Sequence, residues 1–70
     1  EFRDSKTELQ ELLQSKKLEL PIYKTSESYS GFDCRLELPE GIFEASGNSK
    51  RQAEIAAAKE ALSHLKKNNA

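Results

Sequence analysis

The chain has 70 residues, of which 36% are hydrophobic and 33% are charged. Its formal net charge of −1 argues against broad, non-specific binding to nucleic acids, because such binding normally needs a basic surface. This length suits one small domain, and one cysteine with one histidine excludes an internal disulfide and predicts neither a metal site nor a cofactor. No apolar run is long enough for a membrane segment, so we expect a soluble, intracellular protein of the nucleus or the cytoplasm.

The first predicted element is an amphipathic helix that begins near Ser5. Ser5 and Glu8 have the spacing of a capping box, in which each side chain accepts a hydrogen bond from the other residue's backbone amide. An apolar stripe follows at helical spacing, and the helix is predicted to end near residues 16–17, before Pro21. The stripe consists of Leu9, Leu12 and Leu13.

Three strands are predicted in the middle of the chain. The first covers residues 22–25, and the polar residues 27–31 are predicted to form the loop after it. Apolar and polar side chains alternate over residues 32–38, as is typical of a strand with one buried face. Residues 38–41, Leu-Pro-Glu-Gly, favour a type I turn, and residues 42–45 form the third strand. This order predicts an antiparallel sheet.

The last segment has the clearest helical pattern. Ser49 and Gln52 form a second capping box. The apolar stripe that follows is mostly alanine, and such small side chains allow a helix to lie close to a sheet. The stripe contains Ala53, Ala57, Ala58, Ala61, Leu62 and Leu65. Residues 66–70 are predicted to be a fraying tail.

Two helices and a sheet that each present one apolar face predict an α+β fold with the element order α-β-β-β-α. A three-stranded antiparallel sheet would then carry both helices on one face. We expect a single domain over residues 1–70, with a folded core at residues 5–66.

No arrangement of residues indicates catalysis, so the domain is predicted not to be an enzyme. His64 has no cysteine, serine or carboxylate at a recognisable spacing, and it is predicted to lie at the surface or at an edge. Cys34 alternates with the buried strand positions, which predicts an inert, buried thiol.

Two cations, Lys50 and Arg51, occupy the first turn of the second helix. Free backbone amides and the helix dipole favour anions there, so helix stability alone would favour Asp or Glu. Local conflicts of this kind often mark function, although two surface cations taken alone are equally consistent with an ordinary solvated helix start.

Residues 47–62 read GNSKRQAEIAAAKEAL, which resembles the signature of the double-stranded-RNA-binding domain family, Gly-x-Ser-Lys-Lys-x-Ala-Lys-x-x-Ala-Ala-x-x-Ala-Leu. Upstream, residues 6–12 (KTELQEL) and the motif Leu20-Pro21-x-Tyr23 resemble the family's first helix and first strand. The resemblance covers residues 5–65 in the family's order.

The resemblance implies that one face of the domain binds A-form duplex RNA. In the family the first helix enters a minor groove, the loop between strands one and two enters the next, and the second helix binds the phosphates between them. By position, Thr7, Gln10 and Glu11 would hydrogen-bond 2′-hydroxyls and base edges. Lys50 and Arg51 would bind phosphates.

Two departures from the family pattern predict weak binding. The family's third lysine is replaced by Glu54, one turn after Lys50, where a carboxylate can pair with Lys50 and repel phosphate. The first loop is short and lacks the family's Gly-Pro-x-His. We therefore expect a non-catalytic domain that binds double-stranded RNA weakly and by shape. It would be cut from a larger RNA-processing or RNA-silencing protein, with a ribonuclease III-type enzyme as one candidate parent.

The alternative is a domain that has kept the fold but acts in protein–protein interaction, by binding a partner or associating with itself through the sheet. The acidic balance and Glu54 favour this alternative, whereas Gln10, Glu11, Lys50 and Arg51 favour RNA. A third reading, a small ribosome-associated α+β domain, has no supporting motif beyond its fold class.

Overall fold

The computed structural model describes residues 4–68, which form two helices and three strands. In chain order these are α1 (Ser5–Ser15), β1 (Ile22–Ser28), β2 (Gly31–Leu38), β3 (Gly41–Gly47) and α2 (Lys50–Asn68). The predicted α-β-β-β-α order is confirmed. Residues 1–3 and 69–70, which were predicted to belong to the same domain, lie outside the described residues.

The strands form one antiparallel sheet in the order β1-β2-β3, and both helices lie on the same side of it. Helix α2 packs directly on the sheet, and all six residues of its predicted apolar stripe are buried. Helix α1 packs against α2, where Leu9 and Leu13 complete the core that Cys34 and Leu36 supply from β2. Leu12 is only partly buried at the margin of this core. The α+β class is thus confirmed.

The N-cap of α1 is Asp4, not Ser5 as predicted. An Asp4 carboxylate oxygen accepts a hydrogen bond of 2.9 Å from the Thr7 amide, and this bond is the main reason why the pKa of Asp4 is lowered. Asp and Ser are both good N-caps, but a carboxylate also interacts favourably with the helix dipole. The helix ends close to the predicted place, where Lys17 takes a left-handed conformation with φ of 59°.

The connection between β1 and β2 is shorter than predicted. Glu27 and Ser28, which were predicted to lie in the loop, pair with Phe32 and Gly31 on β2. Only residues 29–30 remain as the turn. Polar composition suggested a loop here, but hydrogen bonds of the backbone ladder form independently of side-chain polarity on the exposed face.

The predicted fraying of the C-terminal tail is wrong for residues 66–68, which continue α2. Lys66 lies 3.0 Å from a carboxylate oxygen of Glu8, and this ion pair ties the last turn of α2 to α1. Within residues 4–68 the two helices are too short or too polar to cross a membrane.

Candidate nucleic-acid interface

Four of the five predicted site residues line one open groove of about 530 Å³ between the beginnings of the two helices. Thr7 and Gln10 come from α1, and Lys50 and Arg51 come from the first turn of α2. Glu11 is exposed on α1 but does not line this groove. The other residues of the groove are Asp4, Lys6, Pro21, Tyr23 and Glu54.

The first turn of α2 is fixed in place by a close approach between β3 and the helix. A methyl group added to Gly47, the last residue of β3, would lie 2.6 Å from the Ala53 amide nitrogen. Only glycine leaves enough space for this approach. Ser49 caps the helix as predicted, since its hydroxyl accepts a hydrogen bond of 3.2 Å from the Gln52 amide. The amides and cations of the first turn therefore have a defined position at the groove.

Glu54 connects three elements of the fold inside this groove. Its carboxylate accepts a hydrogen bond of 2.6 Å from the Lys6 ammonium of α1 and one of 3.0 Å from the Thr25 hydroxyl of β1. The side chain is only 21% exposed. The hydrogen bond from Lys6 is the main reason why the pKa of Glu54 lies below its ordinary value.

The predicted pairing of Glu54 with Lys50 is therefore wrong, and the partner is Lys6. Thr25 points from β1 toward the helices, and together with Lys6 it occupies both carboxylate oxygens of Glu54. Lys50 contributes only a longer-range attraction to Glu54.

Lys6 is held in the groove by a second contact. Its ammonium lies 4.8 Å from the centre of the Tyr23 ring, a distance at which a cation is attracted to the ring face. The Tyr23 hydroxyl is buried without a hydrogen-bond partner among the described residues, and burial raises the pKa of Tyr23 to about 12. Tyr23 is therefore neutral at physiological pH. The Lys6 side chain remains 37% exposed, so it stays accessible from the groove.

Two of the three cations that line the groove already form ion pairs with carboxylates of the protein. Lys6 pairs with Glu54, and an Arg51 guanidinium nitrogen lies 3.7 Å from a carboxylate oxygen of Asp4. Lys50 is exposed and has no ion pair within residues 4–68. Because the amides of a helix N-terminus attract anions, Lys50 and the first turn of α2 form the most favourable place for a phosphate.

The predictions from sequence missed Lys6, Tyr23 and the role of Glu54. Lys6 and Glu54 are 48 residues apart, so no local spacing could reveal their contact. The only available signal was the position of Lys6 in the same helical turn as Thr7. Asp4 was missed because Ser5 offers a capping motif of equal appearance one residue later.

The two residues considered for chemistry lie where the sequence predicted them. Cys34 is 1% exposed, and burial raises the pKa of its thiol, so the prediction of a buried cysteine is confirmed. His64 is exposed on α2, with its ring centre 5.3 Å from that of Phe43. Among the described residues no three His, Cys, Asp or Glu side chains are grouped so that they could hold a metal ion.

Comparison with known proteins identifies relatives of this chain. The family model described as "Double-stranded RNA binding motif" matches residues 5–65. The chain is similar to Ribonuclease 3 of Actinobacillus pleuropneumoniae serotype 5b, with 40% identity over 70 residues, and to that of Alcanivorax borkumensis, with 43% over 70 residues. Ribonuclease 3 of Variovorax paradoxus is 42% identical over 71 residues.

These alignments cover 90–91% of this chain but only 31% of each relative. The chain thus spans about a third of the length of the curated relatives that it matches. The matched residues include all three strands and the parts of both helices that pack in the core. The family is described as a binding motif. The predicted resemblance and the prediction of a non-catalytic domain are confirmed.

Proposed function

The chain belongs to the double-stranded RNA binding motif family, and on this premise we propose that it binds A-form duplex RNA, weakly and by shape, through the groove between α1 and the start of α2. The observation that carries the proposal is the convergence of Thr7 and Gln10 with Lys50 and Arg51 on one groove. Hydroxyl and amide side chains suit 2′-hydroxyl groups, and cations at a helix N-terminus suit phosphates.

We place Thr7, Gln10 and Glu11 in the minor groove and Lys50 and Arg51 on the phosphates. Glu11 is exposed on the same helix as Thr7 and Gln10, although it lies outside the groove itself.

Weak binding follows from the charges of the groove. Asp4 and Glu54 compensate two of its three cations, and RNA must compete with these ion pairs or leave them intact. Because each phosphate contact contributes about −0.7 to −0.9 to the slope of log affinity against log salt, we expect a slope of only about −1 to −2.

A titration monitored by fluorescence polarisation tests this proposal. A labelled RNA duplex of about 20 base pairs and a DNA duplex of the same sequence would be compared at about 50 and 150 mM salt. We expect the RNA duplex to bind more tightly than the DNA duplex, because 2′-hydroxyls and the A-form groove are absent from DNA. Equal affinities would contradict the proposed mode.

Two lysine variants make this test specific to the groove. Lys50→Ala is expected to weaken RNA binding and to reduce the salt slope by about one. Lys59→Ala removes the same charge from an exposed position of α2 that does not line the groove. If both variants weaken binding equally, the attraction is unspecific and the groove is not the interface.

We further propose that residues 1–70 are a single domain of a longer RNA-processing protein. The support is that the relatives are named Ribonuclease 3 and that the alignments cover 31% of their length. A role of the longer protein in RNA silencing stays a prediction. The intracellular location, in cytoplasm or nucleus, stays a prediction.

The second candidate function is protein–protein interaction through the open face of the sheet. Ile22 and Ile42 lie on either side of Glu37 in one row across this face, and they are 54% and 56% exposed. Exposed branched apolar residues at two edge strands favour a contact with another protein or a second copy. Sedimentation of the free domain tests self-association, since a monomer at high protein concentration would contradict it.

A further inference from the structure

The β1–β2 hairpin differs from the arm that the family's binding mode requires. Strand pairing continues without interruption up to Ser28 and Gly31, so that Tyr29 and Ser30 alone form the tip. A two-residue turn of this kind is the shortest common hairpin connection. There is consequently no loop that could extend away from the sheet.

The tip is also held against the body of the domain. A methyl group added to Gly31 would lie 2.5 Å from the Gly47 carbonyl oxygen and 3.9 Å from the Asn48 α-carbon. The hairpin end thus packs beside the residues that lead into α2. The tip has no unpaired residues beyond Tyr29 and Ser30, so it could reach further along a ligand only if the pairing of β1 with β2 were broken.

The charge of the hairpin end opposes contact with a nucleic acid. Residues 25–34 contain Glu27 and Asp33 and no lysine or arginine, and both acidic residues are exposed. The flanking cations Lys24 and Arg35 pair with Glu37 and Glu44, so Glu27 and Asp33 leave the hairpin end with a negative charge that repels phosphates. The groove between the helices, by contrast, presents Lys50 beside the amides of a helix N-terminus.

In the family's general mode, a domain spans about 16 base pairs because it contacts two successive minor grooves and the phosphates between them. In this chain the second minor groove has no matching arm. What remains is α1 in one minor groove and the start of α2 on the adjacent phosphates, which is about half of that span, roughly 8–10 base pairs.

We propose that this domain reads a single minor groove with its adjacent phosphates, so that its ligand class is short RNA stems of about one helical turn. The proposal rests on the proposed function, because it assumes that the groove between the helices binds RNA. It adds that length beyond about one turn contributes no further contacts.

A series of RNA duplexes of about 8, 10, 12, 16 and 20 base pairs tests the proposal. Affinities would be measured by fluorescence polarisation at low salt and divided by the number of binding positions that each duplex offers. We expect the affinity per position to change by less than about threefold between about 10 and 20 base pairs. A larger loss below about 16 base pairs would overturn the single-groove proposal while leaving RNA binding intact. No binding at any length would refute the proposed function itself.

A variant of the hairpin tip provides an independent control. Tyr29 is fully exposed at the tip, so Tyr29→Ala is not expected to affect folding, which circular dichroism would verify. We expect this variant to bind the duplex of about 20 base pairs within about twofold of the unmodified chain, whereas Lys50→Ala binds more weakly. If Tyr29→Ala weakens binding as much as Lys50→Ala, the tip contacts RNA and the proposal is wrong.

Discussion

Replacing Glu54 with lysine should lower stability and strengthen RNA binding at the same time. The change removes the acceptor of the Lys6 and Thr25 hydrogen bonds and places a second ammonium group beside Lys6. Both hydrogen bonds end on the Glu54 carboxylate, and a hydrogen bond to a charged group contributes about 1.5–3 kcal/mol. For the Thr25 bond we take the lower end, about 1.5 kcal/mol, because the pair is only partly buried. The value for Lys6 has to be reduced toward about 1 kcal/mol, because the side chain is 37% exposed and solvent screens the pair.

The sum of these contributions, with a small repulsion between the two ammonium groups, gives a loss of about 2–3 kcal/mol in the free energy of unfolding. In a domain of this size each kcal/mol lowers Tm by about 4–8 °C, so the expected decrease is at least about 8 °C. Differential scanning calorimetry measures it. Glu60→Lys is the matched control, since it makes the same charge change at an exposed position of α2.

RNA affinity of the folded Glu54→Lys variant should rise, with a steeper salt dependence, because Lys6 is released and a cation is added. The two readouts together distinguish a Glu54 that links α1, β1 and α2 from a Glu54 that is fully solvated. A fully solvated residue at position 54 would change stability by less than about 0.5 kcal/mol. Equal Tm values for the Glu54→Lys and Glu60→Lys variants would therefore refute the assignment of Glu54 as a link between α1, β1 and α2.

Three further predictions concern the stability of the fold. Leu36→Ala should cost about 2–5 kcal/mol in urea denaturation, whereas Leu12→Ala should cost clearly less because that side chain is only partly buried; equal costs would contradict the described core. The pKa of Glu54 is lowered in the folded chain, so the stabilising contribution of Glu54 is complete above the ordinary pKa of 4.5 and is lost as pH falls through the lowered pKa. In acid, the Tm of the Glu54→Gln variant should therefore decrease less steeply with pH than the Tm of the unmodified chain. Gly31→Ala should lower Tm, since the added methyl group would lie 2.5 Å from the Gly47 carbonyl oxygen, and an unchanged Tm would show that the hairpin end is not packed there.

The sequence predicted those parts of the fold that depend on periodicity. The alanine stripe from Ala53 to Leu65 and the alternation around Cys34 and Leu36 are local patterns, and each side chain in them lies on the predicted face. Errors occurred where two local readings were equally good. Asp4 and Ser5 can both cap a helix, and a polar segment such as residues 27–28 can be either a loop or the end of a strand.

The candidate site was predictable only in part, because its central contacts join distant segments. Family positions predicted Thr7, Gln10, Lys50 and Arg51, and the fold brings these four residues to one groove. The position of Glu54, however, suggested a partner one helical turn away. The actual partners of Glu54 lie on α1 and β1. They depend on how three elements pack together, and residue spacing within one element does not reveal that packing.

Chemical-shift mapping by NMR shows directly whether duplex RNA occupies the groove between α1 and the start of α2. A 15N-labelled domain would be titrated with an RNA duplex of about 12 base pairs, and the backbone amides that shift would be compared with the two candidate surfaces. The proposed interface predicts shifts around Thr7, Gln10 and Lys50 in the groove between the helices, while Arg35 and Glu44 on the open sheet face remain unchanged. Shifts confined to the sheet face, or none in the groove at saturating RNA, would contradict it.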